Sequence, residues 1–297
     1  ITLVDSQKGG PMERPPLSKK FLLETEDKVN PMFLLKRGKW YKENEINLKH
    51  GVTVRSINRE DLSLDLDDDS SLSYDKLILA TGAKPNNIKS AEGLKNSFVL
   101  RQPDDAVLIR NAARSAKSAI IIGGGYIGLE VAASLIEMGL SVTVIEAAPR
   151  LLARVASPPI ADLVSKLHSE KGVSLKIGDS VQDIISADGL FSRVTLDSGF
   201  ECEADMLVVG IGVRPNSELA KNAGLETEHE QGGAIMVDSS FQTSDSNIFA
   251  LGDVALIRES DMRIESVHNA QYSATKLAAI LCGGSQPGYE APWFWSD

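Results

Sequence analysis

The chain has 297 residues, of which 42% are hydrophobic and 24% charged, a composition typical of a globular protein of about two domains. Its formal net charge of −10 disfavours a nucleic-acid-binding surface spread over the molecule. It contains no run of about 18 apolar residues, so we predict no membrane-spanning helix.

The two cysteines, Cys202 and Cys282, are far apart in the sequence and form no CxxC pair. They predict neither a disulfide framework nor a zinc site, and this usage favours a reducing cytoplasm. The first residues, Ile1 to Val4, already have the pattern of a strand, and the chain ends close to the apolar cluster 293–295. We therefore expect the sequence to be a fragment of a longer chain.

The first hundred residues predict one helix and several short strands. Prolines at positions 15 and 16, followed by Ser18, predict a helix that begins at Ser18. Polar and apolar residues alternate over 52–66, which predicts antiparallel strands, and the acidic tract 67–71 predicts a turn. Residues 74–80 form the next predicted strand.

Strands and helices alternate from about residue 104 to 237, the pattern of a nucleotide-binding unit. The predicted elements are a helix at 104–115, a strand at 119–122, a helix ending at Met138, a strand at 141–145, a helix at about 159–171 and a meander at 173–208. Residues 238–297 return to short strands and one helix, 269–281. We expect a first domain made of 1–103 and 238–297, with a second domain, 104–237, inserted into it.

The apolar strand 119–122 leads into Gly123-Gly124-Gly125-Tyr126-Ile127-Gly128, which fits the pattern G-x-G-x-x-G. In this pattern Gly123 permits a tight turn, Gly125 lets the backbone approach a pyrophosphate, and Gly128 lets the helix pack closely on the strand. The N-terminus of the helix offers N–H groups to the phosphates. An ordinary glycine-rich turn is the alternative, but the flanking strand and helix favour dinucleotide binding.

The second strand of this unit ends at Glu146, 23 residues after Gly123. An acidic residue at this distance binds the hydroxyls of an adenosine ribose and repels a 2′-phosphate. We therefore predict NADH over NADPH. Arg150 and Arg154 leave the alternative open, because either could bind that phosphate.

Four further motifs occur in a fixed order around this loop. They are R-P-P-L-S-K at 14–19, A-T-G at 80–82 with Pro85, N-I-F-A-L-G-D-V at 247–254, and E-S-V-H-N-A at 265–270 with P-W-F-W at 292–295. In this order the chain resembles the FAD-dependent ferredoxin reductases, the group that includes putidaredoxin reductase, rubredoxin reductase and the reductase components of aromatic-ring dioxygenases. The resemblance implies an α/β fold of two Rossmann-like dinucleotide-binding domains, glutathione-reductase-like, with the NAD domain inserted in the FAD domain.

The resemblance also implies roles for the residues that match the family's motifs. Lys19 is expected to stabilise negative charge on a reduced flavin ring, and Glu130 to lie at the nicotinamide–flavin junction, so these two are the implied catalytic residues. The residues implied to bind FAD are Arg14, Lys19, Val54, Ala80, Thr81, Gly82, Arg101, Gly252, Asp253 and Val267. Those implied to bind NAD are Gly123, Gly125, Ile127, Gly128, Glu146, Gly210, Ile211 and Gly212.

The function implied by the resemblance is electron transfer from NADH through FAD to a ferredoxin-like iron–sulfur protein. The carrier is expected to be a separate protein, because this chain lacks the cysteines for a cluster. Disulfide reductases and NADH peroxidases are the nearest rivals, but the segment 15–23 contains no redox cysteine. An apoptosis-inducing-factor-like or regulatory NAD/FAD-binding protein, without a dedicated ferredoxin partner, is a second alternative. The family's glycine fingerprint for FAD is expected before Ile1, and its C-terminal domain after the tryptophan cluster.

Overall fold

The computed structural model describes residues 1–25, 31–228, 232–288 and 290–296. The chain divides into two compact units. Unit 1 comprises Ile1–Gly10, Lys36–Lys84 and Val213–Trp295, and unit 2 comprises Pro11–Leu35, Pro85–Gly212 and Ser296–Asp297.

Strands and helices of both units are numbered along the chain. The strands are β1 (Thr2–Asp5), β2 (Asn47–His50), β3 (Val54–Asn58), β4 (Ser63–Leu66), β5 (Ser71–Ser73), β6 (Leu77–Leu79), β7 (Ala83–Pro85), β8 (Ser97–Phe98), β9 (Ser118–Ile122), β10 (Ser141–Glu146), β11 (Ser174–Ile177), β12 (Val181–Ala187), β13 (Leu190–Leu196), β14 (Glu201–Glu203), β15 (Met206–Val209), β16 (Val213–Pro215), β17 (Ile235–Val237), β18 (Ile248–Ala250) and β19 (Ala255–Ile257). The α-helices are α1 (Lys20–Leu23), α2 (Gly38–Glu43), α3 (Pro103–Ala113), α4 (Tyr126–Glu137), α5 (Pro158–Glu170), α6 (Glu218–Asn222) and α7 (Val267–Cys282), and the 3-10 helices are Pro15–Ser18, Pro31–Phe33, Lys89–Ala91 and Gly252–Val254. Among the described helices, none combines the length and apolar character that a membrane span requires.

Unit 2 is built on a five-stranded sheet in the order β11-β10-β9-β15-β8, whose neighbouring strands are all parallel. Its central strand β9 pairs with β10 on one side and β15 on the other, so that Ile120 lies opposite Thr143 and Leu207. Residues 119–122 of β9 and all four residues of β15 are buried and apolar, as expected for parallel strands covered on both faces. The loops that follow these strands therefore leave the sheet at the same edge.

Helix α4 follows β9 directly and packs one face against the sheet. Its Val131 and Leu135 are fully buried in one apolar cluster with Ile121 and Val142 of the strands. The positions 131 and 135 are one turn apart, so the apolar stripe of α4 lies on the face that contacts β9 and β10. This packing fixes the first turn of α4 at the sheet edge where β9 ends.

Two predicted elements differ from the observed ones. The predicted meander of 173–208 contains three antiparallel strands, β12 to β14, whereas β11 and β15 join the parallel sheet. A short apolar run such as β15 has no alternation of polar and apolar residues, so its sequence does not distinguish a strand of an antiparallel meander from a buried strand of a parallel sheet. The helix predicted to begin at Ser18 is replaced by a 3-10 turn that begins at Pro15, followed by the single turn of α1. Proline favours the first helical positions, so the turn starts at the prolines themselves.

The compact units change at Lys84–Pro85 and Gly212–Val213, and residues 11–35 belong to unit 2. Strand β8 pairs with β15, which places residues before 103 in the sheet of unit 2. We predicted the domain boundaries from the positions of the cofactor-binding motifs, whereas the compact units are defined by contacts within the chain. The predicted domains, which are 1–103 with 238–297 and 104–237, therefore stay a prediction.

Unit 1 contains the antiparallel sheet β3-β4-β5, which agrees with the strands predicted over 52–66. Strands β6 and β18 form a parallel pair, with Leu79 opposite Ala250. Buried Leu66, Leu79 and Ile248 belong to the apolar core of this unit. The segments that follow β6 and β18 therefore leave this pair at the same end.

Candidate functional site

The glycine loop after β9 is packed so tightly that at two of its glycines a side chain would collide with backbone atoms. Gly123 has a φ of +112°, and a Cβ atom there would lie 2.3 Å from the carbonyl oxygen of Gly210. A Cβ atom on Gly128 would lie 2.1 Å from the carbonyl oxygen of Gly123. The end of β9, the first turn of α4 and the loop after β15 are therefore in direct backbone contact.

Gly125 has the opposite environment. It is the N-cap residue of α4, with φ −83° and ψ 179°, and supplies no side chain to cap the helix. Apart from Gly125 and its two neighbours in the chain, no atom of the described residues lies within 4 Å of the position a Cβ would take. The N–H groups of the first turn of α4 thus begin beside open space, the arrangement that binds phosphate groups.

Glu146, the last residue of β10, is held against this loop by two hydrogen bonds. Its Oε2 accepts from the N–H of Gly124 at 2.6 Å, and its Oε1 accepts from the N–H of Ala148 at 2.7 Å. Each carboxylate oxygen keeps a further lone pair for a hydroxyl donor. The carboxylate is therefore oriented before a ligand arrives, beside the space at Gly125.

The two arginines near Glu146 have different environments. The guanidinium of Arg150 donates to the carbonyl oxygens of Ala153 and Ala156, both at 2.8 Å, and so stabilises its own loop. Arg154 is exposed, and its Nη2 lies 3.4 Å from the position of a Cβ on Gly212. The NADPH alternative left open by the sequence therefore depends on Arg154 rather than on Arg150.

All eight residues predicted to bind NAD lie in unit 2, at the carboxyl ends of parallel strands or on the first turn of α4. Gly210, Ile211 and Gly212 follow β15, and the N–H of Gly210 donates to the carbonyl of Ile122 at 2.8 Å. The apolar side chains of Ile127 and Ile211 are both partly exposed. Ligands of open α/β sheets bind at this edge.

Lys19 and Glu130 form an ion pair inside unit 2. Lys19 Nζ lies 2.8 Å from Glu130 Oε1, and the two side chains are 14% and 5% exposed. Hydroxyls of Ser18 and Ser296 also donate to this carboxylate, at 2.5 and 2.6 Å. Three donors offset much of the desolvation cost of a buried carboxylate. Burial raises the pKa of nearby Tyr126, and the negative charge of Glu130 raises it further.

Arg14 and Arg101, both predicted near FAD, are neighbours in unit 2. Arg14 Nη1 donates to the carbonyl oxygen of Arg101 at 3.0 Å and to Gln102 Oε1 at 2.5 Å. Gln102 is the N-cap of α3 and forms a capping box with Asp105. The start of α3 therefore places the two arginines together.

The remaining residues predicted to bind FAD lie in unit 1, several of them at the ends of β6 and β18. Ala80, Thr81 and Gly82 follow β6, and Gly252 and Asp253 follow β18 one residue further on. Val54 begins β3 and Val267 begins α7. The parallel pairing of β6 and β18 thus brings the motifs at 80–82 and 247–254 to the same end of this strand pair.

Two residues that the sequence analysis did not select hold these motifs in unit 1. Asn216 accepts at its backbone carbonyl from the Thr81 hydroxyl at 2.7 Å and donates from its amide to the Thr81 carbonyl at 2.9 Å. Arg263 Nη1 donates to the carbonyl oxygen of Asp253 at 2.6 Å. Asn216 is 135 residues away from Thr81 along the chain, and Arg263, 10 residues after Asp253, follows no spacing rule. No sequence signal therefore identifies either residue.

The residues of unit 2 fit the dinucleotide that its motif predicts. In unit 2 the open space at Gly125, the start of α4 and the oriented Glu146 match a pyrophosphate and a ribose. In unit 1 the turn Gly252–Val254 packs on α7, and Gly252, with φ +69°, approaches Ala270. Within the described residues, no group of three or more His, Cys, Asp or Glu side chains is placed to hold a metal ion.

Residues 1–274 match the model of the pyridine nucleotide-disulphide oxidoreductase family. The chain belongs to this family. It is 38% identical to rubredoxin-NAD(+) reductase of Pseudomonas putida, covering 100% of the chain and 77% of that protein. It is 39% identical to rhodocoxin reductase of Rhodococcus erythropolis, covering 100% of the chain and 69% of that protein.

A solved structure of the covalent putidaredoxin reductase–putidaredoxin complex is similar throughout the chain. Its TM-score is 0.92 and its sequence identity 38%, over 100% of this chain and 72% of that one. Together these matches confirm the predicted α/β fold with two dinucleotide-binding domains, the oxidoreductase class, and FAD and NAD(H) as cofactors. The roles of the individual residues stay predictions.

Proposed function

We propose that the protein passes electrons from NADH through FAD to a small iron–sulfur protein of the ferredoxin or rubredoxin type. The observation that carries this proposal is the oriented carboxylate of Glu146 beside the open start of α4, which suits an NADH molecule. The similarity to a rubredoxin reductase and to a reductase joined to putidaredoxin supports an iron–sulfur acceptor.

The residues of unit 2 would bind and orient NADH. The N–H groups at the start of α4 would bind the pyrophosphate, and Glu146 would accept hydrogen bonds from the adenosine ribose. Its negative charge disfavours a 2′-phosphate, so we propose NADH over NADPH. We assign NAD to the domain 104–237 and FAD to the domain made of 1–103 and 238–297.

Lys19 would supply positive charge to the flavin site. When bound, FAD would supply the redox chemistry that links a two-electron hydride donor to a one-electron acceptor. The ammonium of Lys19, held by Glu130, is suited to stabilise negative charge on the reduced ring. No cysteine occurs in Pro15–Leu23, and Cys202 and Cys282 lie on β14 and at the end of α7, which argues against thiol chemistry on this chain.

The decisive experiment measures cytochrome c reduction by the complete protein, loaded with FAD, with NADH as donor. We expect turnover that depends on an added ferredoxin or rubredoxin and is faster with NADH than with NADPH. Equal turnover with a quinone or oxygen, with no effect of the carrier, would contradict the iron–sulfur acceptor. Slow flavin reduction with a lasting charge-transfer band would instead favour a regulatory protein resembling apoptosis-inducing factor.

We also propose a cytoplasmic location, which suits two cysteines that form no disulfide. Cell fractionation tests this. Recovery of the protein outside the cytoplasmic fraction would contradict it.

A further inference from the structure

The side chain of Ser18 lies between the segment that carries Lys19 and helix α4. Ser18 is 1% exposed, and its hydroxyl donates to Glu130 Oε2 at 2.5 Å. Its carbonyl oxygen accepts from the hydroxyl of Ser134, one turn further along α4, at 2.7 Å. Two buried hydrogen bonds therefore tie the turn at Ser18 to the helix.

The contacts on Glu130 are divided between its two oxygens. Lys19 Nζ and the Ser296 hydroxyl bind Oε1, whereas the Ser18 hydroxyl binds Oε2. The last torsion of a glutamate side chain has a broad, roughly two-fold preference, so contacts on both oxygens define its orientation more narrowly than contacts on one. By holding Oε2, Ser18 directs Oε1 towards the ammonium.

The backbone explains why neighbouring side chains reach one carboxylate. The 3-10 turn ends at Ser18, and Lys19 leaves helical geometry with φ −124° and ψ −116° before α1 begins. Ser18 and Lys19 would point in different directions on a continuous helix, because adjacent positions lie about 100° apart around its axis. The break between the two short helices lets both side chains contact Glu130.

We propose that Ser18 is a positioning residue, whose hydroxyl holds the carboxylate of Glu130 in the orientation that fixes the ammonium of Lys19. Its consequence for the reaction rests on the proposed function, which gives Lys19 its role at the flavin. Removing the hydroxyl would leave a buried carboxylate oxygen without this donor, and hydrogen bonds to charged groups are among the strong ones. The ammonium would then be held less tightly.

Two buried serines allow a matched test in the complete protein. Ser18→Ala removes the hydroxyl that donates to Glu130. Ser134→Ala removes a buried hydroxyl that donates to the backbone carbonyl of Ser18 and not to a side chain of that turn. The first measurement is the rate at which acetic anhydride labels the Lys19 amine, followed by mass spectrometry. We expect labelling about tenfold faster in Ser18→Ala, since that factor matches one lost hydrogen bond to a charged group, and little change in Ser134→Ala.

The second measurement separates positioning from folding. In single turnovers with NADH, we expect the rate of flavin reduction in Ser18→Ala to fall by about tenfold while the apparent affinity for NADH stays constant. Ser134→Ala should retain both. If the wild-type flavin is not reduced by NADH, the proposed function fails, while the labelling result still decides the role of Ser18.

A second pair of variants applies if Ser18→Ala does not fold. These variants are Ser18→Thr and Ser18→Val. The side chains of threonine and valine have nearly the same volume, but only threonine keeps the hydroxyl. We expect Lys19 to stay protected in Ser18→Thr and to be labelled faster in Ser18→Val. Equal labelling in this pair, or equal labelling in Ser18→Ala and Ser134→Ala, would overturn the proposal.

Discussion

At the scale of single residues, Glu146 combines two tasks. Its carboxylate accepts hydrogen bonds from the N–H groups of Gly124 and Ala148, which shapes the loop, and it is the group predicted to bind the adenosine ribose. A substitution that removes the charge while keeping the size replaces one accepting oxygen by an NH2 group that cannot accept from an N–H, so it should weaken the loop as well as change cofactor choice.

We expect Glu146→Gln to lower kcat/KM for NADH by about tenfold or more, because bonds to a charged acceptor contribute about 1.5–3 kcal/mol. The value for NADPH should fall less, since repulsion of its 2′-phosphate is removed. Steady-state kinetics with both nucleotides measure the ratio. Glu137→Gln, an exposed position of α4, is the control. An unchanged NADH to NADPH ratio in Glu146→Gln would refute the assignment.

Asp245 gives unit 1 a contribution to stability that depends on pH. Its pKa is lowered first by the hydrogen bond from the N–H of Asn247 and then by the side chain of Arg59, which lies 2.7 Å away. Because the pKa in the folded state is below that in the unfolded state, the contribution is present above about pH 4 and is lost as the pH falls further. The side chains of Asp245 and Arg59 are 14% and 35% exposed, so solvent screens part of their attraction.

Asp245→Asn should lower the free energy of unfolding by about 1–2 kcal/mol at pH 7 and by less at pH 3. Urea unfolding at the two pH values measures the difference. Asp69→Asn is the control, because the ion pair of Asp69 with Arg55 is exposed and is expected to contribute at most about 0.5 kcal/mol. Equal losses in both variants would contradict the role given to Asp245.

The sequence identified residues that belong to motifs and missed those that act through distant contacts. The glycines at 123–128 and Glu146 could be predicted because the turn, the helix start and the strand end impose their spacing. Ser18 and Asn216 could not, since their partners lie 112 and 135 residues away along the chain. No local pattern encodes which side chains meet across such distances.

At the scale of elements, the start of α4 contains two glycines with opposite requirements. The Cβ of an alanine at 128 would collide with backbone at 2.1 Å, whereas at 125 it would enter open space with an ordinary φ of −83°. The same substitution should therefore have different effects three residues apart.

We expect Gly128→Ala to destabilise the protein by about 1–3 kcal/mol, because backbone must move to admit the methyl group. Gly125→Ala should fold with nearly unchanged stability but bind NADH more weakly, since the methyl group occupies space predicted for the pyrophosphate. Thermal unfolding and NADH titration measure the two effects. A destabilised Gly125→Ala with normal NADH affinity would show that the space has a structural role instead.

Long periodic segments were predicted well, and short ones were not. Helices α3, α5 and α7 begin and end within a few residues of their predicted bounds, and α4 ends one residue before its predicted end at Met138. The six-residue α2 has no counterpart in the sequence analysis, because its apolar stripe consists of little more than buried Tyr41. Tertiary contacts rather than propensity decide such short elements.

At the scale of the whole molecule, NADH alone should protect one set of segments. A ligand that binds the native state at 100 times its Kd stabilises it by about 2.7 kcal/mol. We expect slower hydrogen exchange on NADH addition in 119–128, 141–148 and 206–212, with little change in 47–66. Mass spectrometry of peptides measures this. Protection centred on 47–66 would contradict the assignment of NAD to the domain 104–237.

The alternation of strands and helices predicted a nucleotide-binding unit over 104–237, and the resemblance carried by the order of the motifs predicted the α/β class of the whole chain. The compact units were harder to predict, because residues 11–35 enter unit 2 through contacts such as that of Ser18 with Glu130. The positions where the chain passes between units carry no composition change that marks them. The order of the motifs in the sequence predicts which cofactors bind. The bounds of the compact units depend on contacts between residues that are far apart along the chain.

The hydrogen bonds of Arg150 have a practical consequence for engineering of coenzyme preference. A variant that prefers NADPH needs a cation to bind the 2′-phosphate, and Arg150 lies near the predicted ribose site. Its guanidinium, however, already donates hydrogen bonds to the carbonyl oxygens of Ala153 and Ala156. If the guanidinium turned towards a phosphate, these hydrogen bonds would break and the loop would lose their stabilisation. Libraries should therefore vary positions 146 and 154 and keep Arg150 constant.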